Sequence, residues 1–250
     1  MSSFKQAVAR WAFGSVPIES FKDVYDLGVT GVEMPPEKEF DQLRDMGFTI
    51  VSVGGHQSLT DGLNKRENHT RIQDEIGKSL EMAKKYSIPN LIVFSGNRNG
   101  KSEQEGAQNT IEGLDLVKGM AEAAGVTLVL ELLNSKVDHA DYQCDHTTWG
   151  VQVVSTVNSP RVKLLYDIYH MQIMEGDLIR TIRANIEHIG HFHTAGNPGR
   201  NDLDETQEIY YPPIARTIEE LGYTGWVGHE YSPKKPALES LKQAFDTFSV

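Results

Sequence analysis

Cysteine is almost missing from this chain. Its 250 residues include one, Cys144, so no intrachain disulfide framework and no cysteine-built metal site can form. Long apolar runs are missing too: none reaches the roughly 18 residues that a membrane-spanning helix needs, which argues against a membrane partner. The opening MSSFKQAVARWAFG lacks the apolar core of a signal peptide. With the single cysteine, this points to the cytoplasm, a trimmed export leader being the competing explanation. There is no basic block. Lysine and arginine are scattered and the formal net charge is −11, a balance that repels nucleic acid. Low-complexity segments and Pro/Gly/Ser linkers are absent, so residues 1–250 read as one domain.

What is present is a recurring unit: a short apolar run, a loop, then a helical pattern. The apolar runs lie near Ala7–Phe13, Val29–Met34, Thr49–Val53, Asn90–Phe94, Val126–Leu132, Val162–Ile168, Ile189–Thr194 and Gly225–Glu230. They are nearly continuous, as strands buried on both faces should be. Helical patterns follow at Ile18–Leu27, Glu37–Met46, Asn68–Tyr86, Gln104–Ala124, His146–Val157, Asp177–Glu187, Pro213–Leu221 and Ala237–Phe248. Gly28, Gly47, Gly125 and Gly222 stand where left-handed caps would end helices. Such alternation requires parallel strands joined by crossovers. Eight units with a repeat of about 31 residues predict an α/β fold of the (β/α)8 TIM-barrel type. A doubly wound open sheet would more often carry G-x-G-x-x-G after its first strand, where this chain reads FGSVP.

In a barrel the active site lies at the C-terminal strand ends. Four consecutive runs end in ionisable residues: TLVLELLN in Glu131, KLLYDIYH in Asp167 with His170 beyond, IGHFHTAG in His193, and GWVGHEYSP in Glu230. Taken singly, each reads as a helix cap, a surface acid or a core histidine. Together they place three carboxylates and an imidazole on one rim, an arrangement too costly without a counter-charge. A divalent cation resolves it. Three oxygens and one nitrogen suit Mn²⁺ or Mg²⁺, with Zn²⁺ or Co²⁺ as alternatives. Strand parity sorts the neighbouring histidines. His191 and His193 both face inward, His191 deeper in a structural role. His188 precedes the strand at the opposite end, and His229 faces the helices.

These segments resemble the hydroxypyruvate isomerase family of the xylose-isomerase-like barrel superfamily. The matching stretches are LELLN, YDIYHMQ, HFHTAG, the NPGR turn with Arg200, EIYYPPI, GYTGWVGHEY and, after the third run, GLNKRENH with Arg66. The resemblance implies metal ligation by Glu131, Asp167, His193 and Glu230, with Glu131 and Glu230 also forming the acid/base pair. Some hydroxypyruvate isomerases have glutamine where His193 stands, and the histidine here is similar to that of ketose 3-epimerases.

The chemistry expected is isomerisation of a small-molecule substrate, hydroxypyruvate to tartronate semialdehyde, through an enediol, with protons moved by two glutamates. His170 has the reach to hydrogen-bond a substrate oxygen, and Arg200 can fork onto a carboxylate. Arg66 and His56 are further candidates for substrate contact, set against an ordinary surface role. A ketose 3-epimerase is the alternative. A DNA-cutting barrel with a three-zinc cluster would need many more ligands, and the early runs end in VEMPP and FSGN, with Glu33 the one candidate. A non-catalytic sugar-binding barrel would not need both Glu131 and Glu230. Barrels of this kind often form homo-oligomers, but no face of the sequence identifies one.

Overall fold

The eight apolar runs become eight short strands in the computed structural model, which describes residues 3–250. They are β1 Lys5–Ala9, β2 Gly31–Glu33, β3 Thr49–Gly54, β4 Asn90–Val93, β5 Thr127–Glu131, β6 Val162–Asp167, β7 Ile189–Thr194 and β8 Trp226–His229. Each pairs in parallel with the next, and β8 closes on β1, giving a closed barrel in chain order. The helices are α1 Phe21–Asp26, α2 Phe40–Asp45, α3 His69–Tyr86, α4 Glu103–Ala124, α5 Thr147–Val157, α6 Ile168–Met174, α7 Leu178–Asn185, α8 Tyr211–Glu220 and α9 Ala237–Phe248. This is the (β/α)8 architecture that the alternation predicts. None of the described helices is long and apolar enough to cross a membrane.

The strands bury both faces because they have two cores to fill. Outward residues such as Leu128, Leu164, Tyr166 and Phe192 join the large core beneath the helices. Inward residues form smaller layers inside the barrel, one of Ala7, Val51 and Trp226 and one of Ile92, Val129 and Leu165. Gly31 is required by the first layer: a Cβ there would stand 2.5 Å from the Trp226 ring and 2.6 Å from Val51. The glycines expected to end helices, Gly28, Gly47, Gly125 and Gly222, have φ values of 103°, 97°, 70° and 71°.

Two of the differences from the apolar and helical runs bear on the site. The first run was expected over Ala7–Phe13, but β1 is Lys5–Ala9. Beyond it the chain curls, with the amides of Ala12, Gly14 and Val16 bonding back to the carbonyls of Ala9, Trp11 and Phe13. The turn carries Trp11 onto the rim. The second difference is α6, which starts directly after β6 where the sequence suggested a loop. Asp167 caps it, accepting the His170 amide at 3.1 Å.

Register matters as much as order. The β6–β7 pairing slips by one residue between Leu164 and Leu165, so Leu164 faces Ile189 but Leu165 faces His191. Gly190 is the extra residue. The slip places Asp167 beside His193 with both side chains inward; without it Asp167 would lie beside Phe192. A second slip in β2–β3 sets Glu33 opposite Ser52. Bulges of this kind re-aim side chains beside active sites.

His229 points away from the barrel axis. Its Nδ1 is 2.9 Å from Thr194 Oγ1, its Nε2 is 2.9 Å from Gln6 Oε1, and its ring meets the edge of Phe248. Burial pushes its pKa down to about 3. The unfolded chain takes up this proton near pH 6.5, roughly the free histidine value, while the folded chain resists. Stability is therefore full above about pH 6.5 and falls as pH drops through that window. Replacing His229→Gln should flatten the decline. Urea unfolding at about pH 7 and pH 4.5 would show it, and equal losses in both proteins would contradict the assignment.

Candidate active site

The C-terminal ends of β5 to β8 bring Glu131, Asp167, His193 and Glu230 together. One ligand atom from each lies within 4.8 Å of all the others, and every one of these residues is buried. The geometry leaves donor atoms free. Asp167 spends Oδ1 on the α6 cap, while Oδ2 has no hydrogen-bond partner. His193 Nδ1 is 3.0 Å from Glu230 Oε2 and 3.6 Å from Glu131 Oε1, yet it is not aligned as a hydrogen bond to either. Buried polar atoms are rarely left this way without a reason. Three carboxylates and one imidazole, with Asp167 Oδ2 and His193 Nδ1 left without hydrogen bonds, are a donor set that fits a divalent cation.

The charges in the cluster are distributed unevenly. Burial raises the Glu131 pKa, and the nearby Glu230 and Asp167 carboxylates add to this against the pull of His193. Burial also pushes Asp167 up to about 6, despite Arg200 and His193. For Glu230 burial acts in the same direction but loses: the His193 and Arg200 charges, with the hydrogen bond from Trp11, hold it down at about 2. Arg200 Nη2 is 2.5 Å from Glu230 Oε2 and 3.9 Å from Asp167 Oδ2. The Trp11 indole donates to Glu230 Oε1 at 2.9 Å, and the Arg200 guanidinium lies 5.5 Å from the Trp11 ring centre. Trp11 remains 48% exposed, so it forms the lip of the site rather than its floor.

His170, on the first turn of α6, is buried beside this group. Asn134 donates through Nδ2 to His170 Nδ1 at 2.6 Å. The ring proton must then sit on Nε2, which has no partner and is 3.7 Å from Asp167 Oδ2. Burial, helped by the Arg200 charge, keeps this histidine far below its ordinary pKa. The arrangement is a neutral imidazole presenting one N–H to the site.

Two candidates stand elsewhere. Arg66 lies on the outer surface, forked onto Glu112 at 2.6 and 2.7 Å, with its side chain 62% exposed. His56 is buried but has both nitrogens engaged: Nε2 accepts the Phe94 amide at 3.0 Å and Nδ1 meets the Gln57 carbonyl at 2.9 Å. Neither joins the cluster. His188 is on the turn before β7, beside Glu187.

Two residues at the site do not stand out in the sequence, Asn134 and Trp11 in its contact with Glu230, and a third, Glu33, stands out only as a lone candidate ligand. Glu33 ends β2 and is fully buried, meeting His191 Nε2 at 2.9 and 3.0 Å, His193 Nε2 at 2.9 Å and Ser52 Oγ at 2.8 Å. Strand parity carried a signal for it. An inward carboxylate on β2 needs a partner, and inward His191 on β7 offers one.

Replacing Asn134→Asp would put a carboxylate against His170 Nδ1. The His170 pKa should rise, since an adjacent negative charge favours imidazolium. NMR titration of the ring would measure this; an unchanged titration would mean that Asn134 does not set the His170 proton.

The model of the xylose isomerase-like TIM barrel family matches residues 21–248. A 2-oxo-tetronate isomerase from Cupriavidus necator is 32% identical over 160 residues, covering 64% of this chain and 61% of that one. The hydroxypyruvate isomerase of Escherichia coli is 33% identical over 153 residues, 61% of this chain and 58% of its own. Each alignment thus spans about three fifths of the relative. Among solved structures, an AP endonuclease, family 2, from Brucella melitensis superposes with a TM-score of 0.85 at 27% identity, over 96% of this chain and 97% of that one.

Proposed function

This chain belongs to the xylose isomerase-like TIM barrel family, and we propose that it is a divalent-metal-dependent isomerase of a short hydroxy-keto acid. Hydroxypyruvate, interconverted with tartronate semialdehyde, is the leading substrate, with four-carbon relatives such as 2-oxo-tetronate next. Its relatives are isomerases, and the chain is an enzyme of that kind. The observation carrying the proposal is the convergence of Glu131, Asp167, His193 and Glu230 with donor atoms left free.

Glu131, Asp167, His193 and Glu230 would hold the cation, which supplies Lewis-acid polarisation of the substrate carbonyl. The rest falls to the protein. Isomerisation moves a proton between adjacent carbons and one between their oxygens, through an enediol. Glu131 and Glu230 come from β5 and β8, on different sides of the barrel mouth, so one can take a carbon-bound proton while the other returns one. Trp11 and Arg200 hold Glu230 from the lip, fixing its carboxylate orientation. The His170 Nε2–H can donate to a substrate oxygen. Arg200 keeps a buried Nε without a partner, and its guanidinium suits the carboxylate of a short acid.

The nuclease named by the Brucella structure is less well served. A three-metal centre needs more ligands, and the other acid–histidine group among the described residues, Glu33, His191 and His193, is already tied together by hydrogen bonds. The net charge of −11 also opposes a phosphate backbone.

Purified protein should convert hydroxypyruvate, lose the activity in EDTA and recover it with Mn²⁺ or Mg²⁺. Activity that survives exhaustive chelation would remove the metal from the account. Glu131→Gln and Glu230→Gln should each slow solvent-deuterium exchange at the substrate carbon by about 100- to 10,000-fold, read by NMR in D₂O. Exchange at the wild-type rate in either variant would overturn the acid/base pair. Metal-loaded protein inert on hydroxypyruvate and 2-oxo-tetronate but active on a ketohexose would assign it to the epimerases instead.

A further inference from the structure

Glu33 takes no part in the chemistry proposed above, yet it is as fully enclosed as Asp167 in the cluster. It sits one layer below the four-donor cluster, at the end of β2, with no exposure to solvent. Ser52 Oγ donates to its Oε2, and the Nε2 atoms of His191 and His193 approach within 3.0 Å. Room has been left for it. A Cβ at position 228 on β8 would collide with the Glu33 carboxylate, and the β2–β3 slip is what brings Ser52 opposite. An ionised carboxylate in such a place must be matched by donors. It is: the Ser52 hydroxyl and the Nε2 atoms of His191 and His193 converge on it.

The consequence lies at the other side of the His193 ring. An imidazole has two nitrogens, and a metal takes only one that lacks a proton. Glu33 can only accept when ionised, so His193 must present Nε2–H to it. That leaves Nδ1 to lose its proton when a cation arrives. Nδ1 is the atom facing Glu131 and Glu230, and the one with no hydrogen-bond partner. Without an acceptor below, the ring could turn over or place its proton on Nδ1, and either change removes the nitrogen donor from the cluster. His191 has a different task. Its Nε2 meets both Glu33 oxygens, so it orients the carboxylate and shares its charge.

We propose that Glu33 is a positioning residue for the metal site: by accepting from His193 Nε2, it fixes the ring orientation and tautomer that leave Nδ1 as the fourth donor. The inference rests on the metal-site reading above. Carboxylates behind metal-bound histidines typically govern about 10- to 100-fold in metal affinity.

The test is calorimetric titration of Mn²⁺ into metal-free wild-type and Glu33→Gln protein, with thermal unfolding of both in EDTA. Glutamine keeps the shape but offers an N–H that competes for His193 Nε2. The proposal predicts Mn²⁺ affinity weakened by about 10- to 100-fold. A variant that unfolds earlier but binds Mn²⁺ with wild-type affinity would show a purely structural role and overturn the proposal. Should the variant fail to fold, ¹⁵N NMR of the Zn²⁺-loaded wild type decides. Zinc on Nδ1 with the proton on Nε2 is expected; zinc on Nε2, or a proton on Nδ1, overturns the proposal. Wild-type protein that binds neither Mn²⁺ nor Zn²⁺ overturns the metal-site reading and this inference with it. Normal wild-type binding with an insensitive variant overturns the inference alone.

Discussion

Three carboxylates, from Glu131, Asp167 and Glu230, are buried within 4.8 Å of one another at the mouth of a closed barrel, and that repulsion governs how the surrounding structure is built. Carboxylates this close cannot all ionise in a poorly solvated place unless positive charge is supplied. Arg200 and His193 supply part of it, with Trp11 and the His170 amide satisfying further oxygen atoms. The residual imbalance shows in Asp167, pushed up to about 6 chiefly by burial. A cation at the centre would complete the neutralisation. The strand order, the slip at Gly190 and the cap of α6 all serve to hold these groups where mutual repulsion would drive them apart.

One residue type meets three fates here, and strand geometry assigns them. His193 is inward and near the rim, so it faces the acids. His191 is inward and one layer deeper, so it meets Glu33. His229 is outward and packs under α9, where burial keeps it neutral. None of the three could exchange roles without changing strand register, since a shift of one residue turns every side chain to the other face.

The eight-unit alternation was legible because buried parallel strands leave unbroken apolar runs between capped helices, and Glu131, Asp167, His193 and Glu230 stood out because each ends such a run. What the sequence hid was mostly non-local. Arg66 follows β3 as a site residue might, but its guanidinium finds Glu112 on α4 first. His56 looks available until the Phe94 amide and Gln57 carbonyl take both ring nitrogens. Glu33 and Asn134 contact residues 160 and 36 positions away, so parity can turn Glu33 inward but cannot name its partner. The end of β1 was misjudged because VARWAF is apolar enough for a strand, while backbone turns carry Trp11 out over the rim.

The claim on which the rest depends is that the four strand ends hold one cation. Anomalous diffraction from a crystal soaked in Mn²⁺ reads it directly. A single peak among Glu131, Asp167, His193 Nδ1 and Glu230 is the expected result. A peak beside Glu33 and His191 instead, or none at the barrel mouth at saturating Mn²⁺, would contradict it.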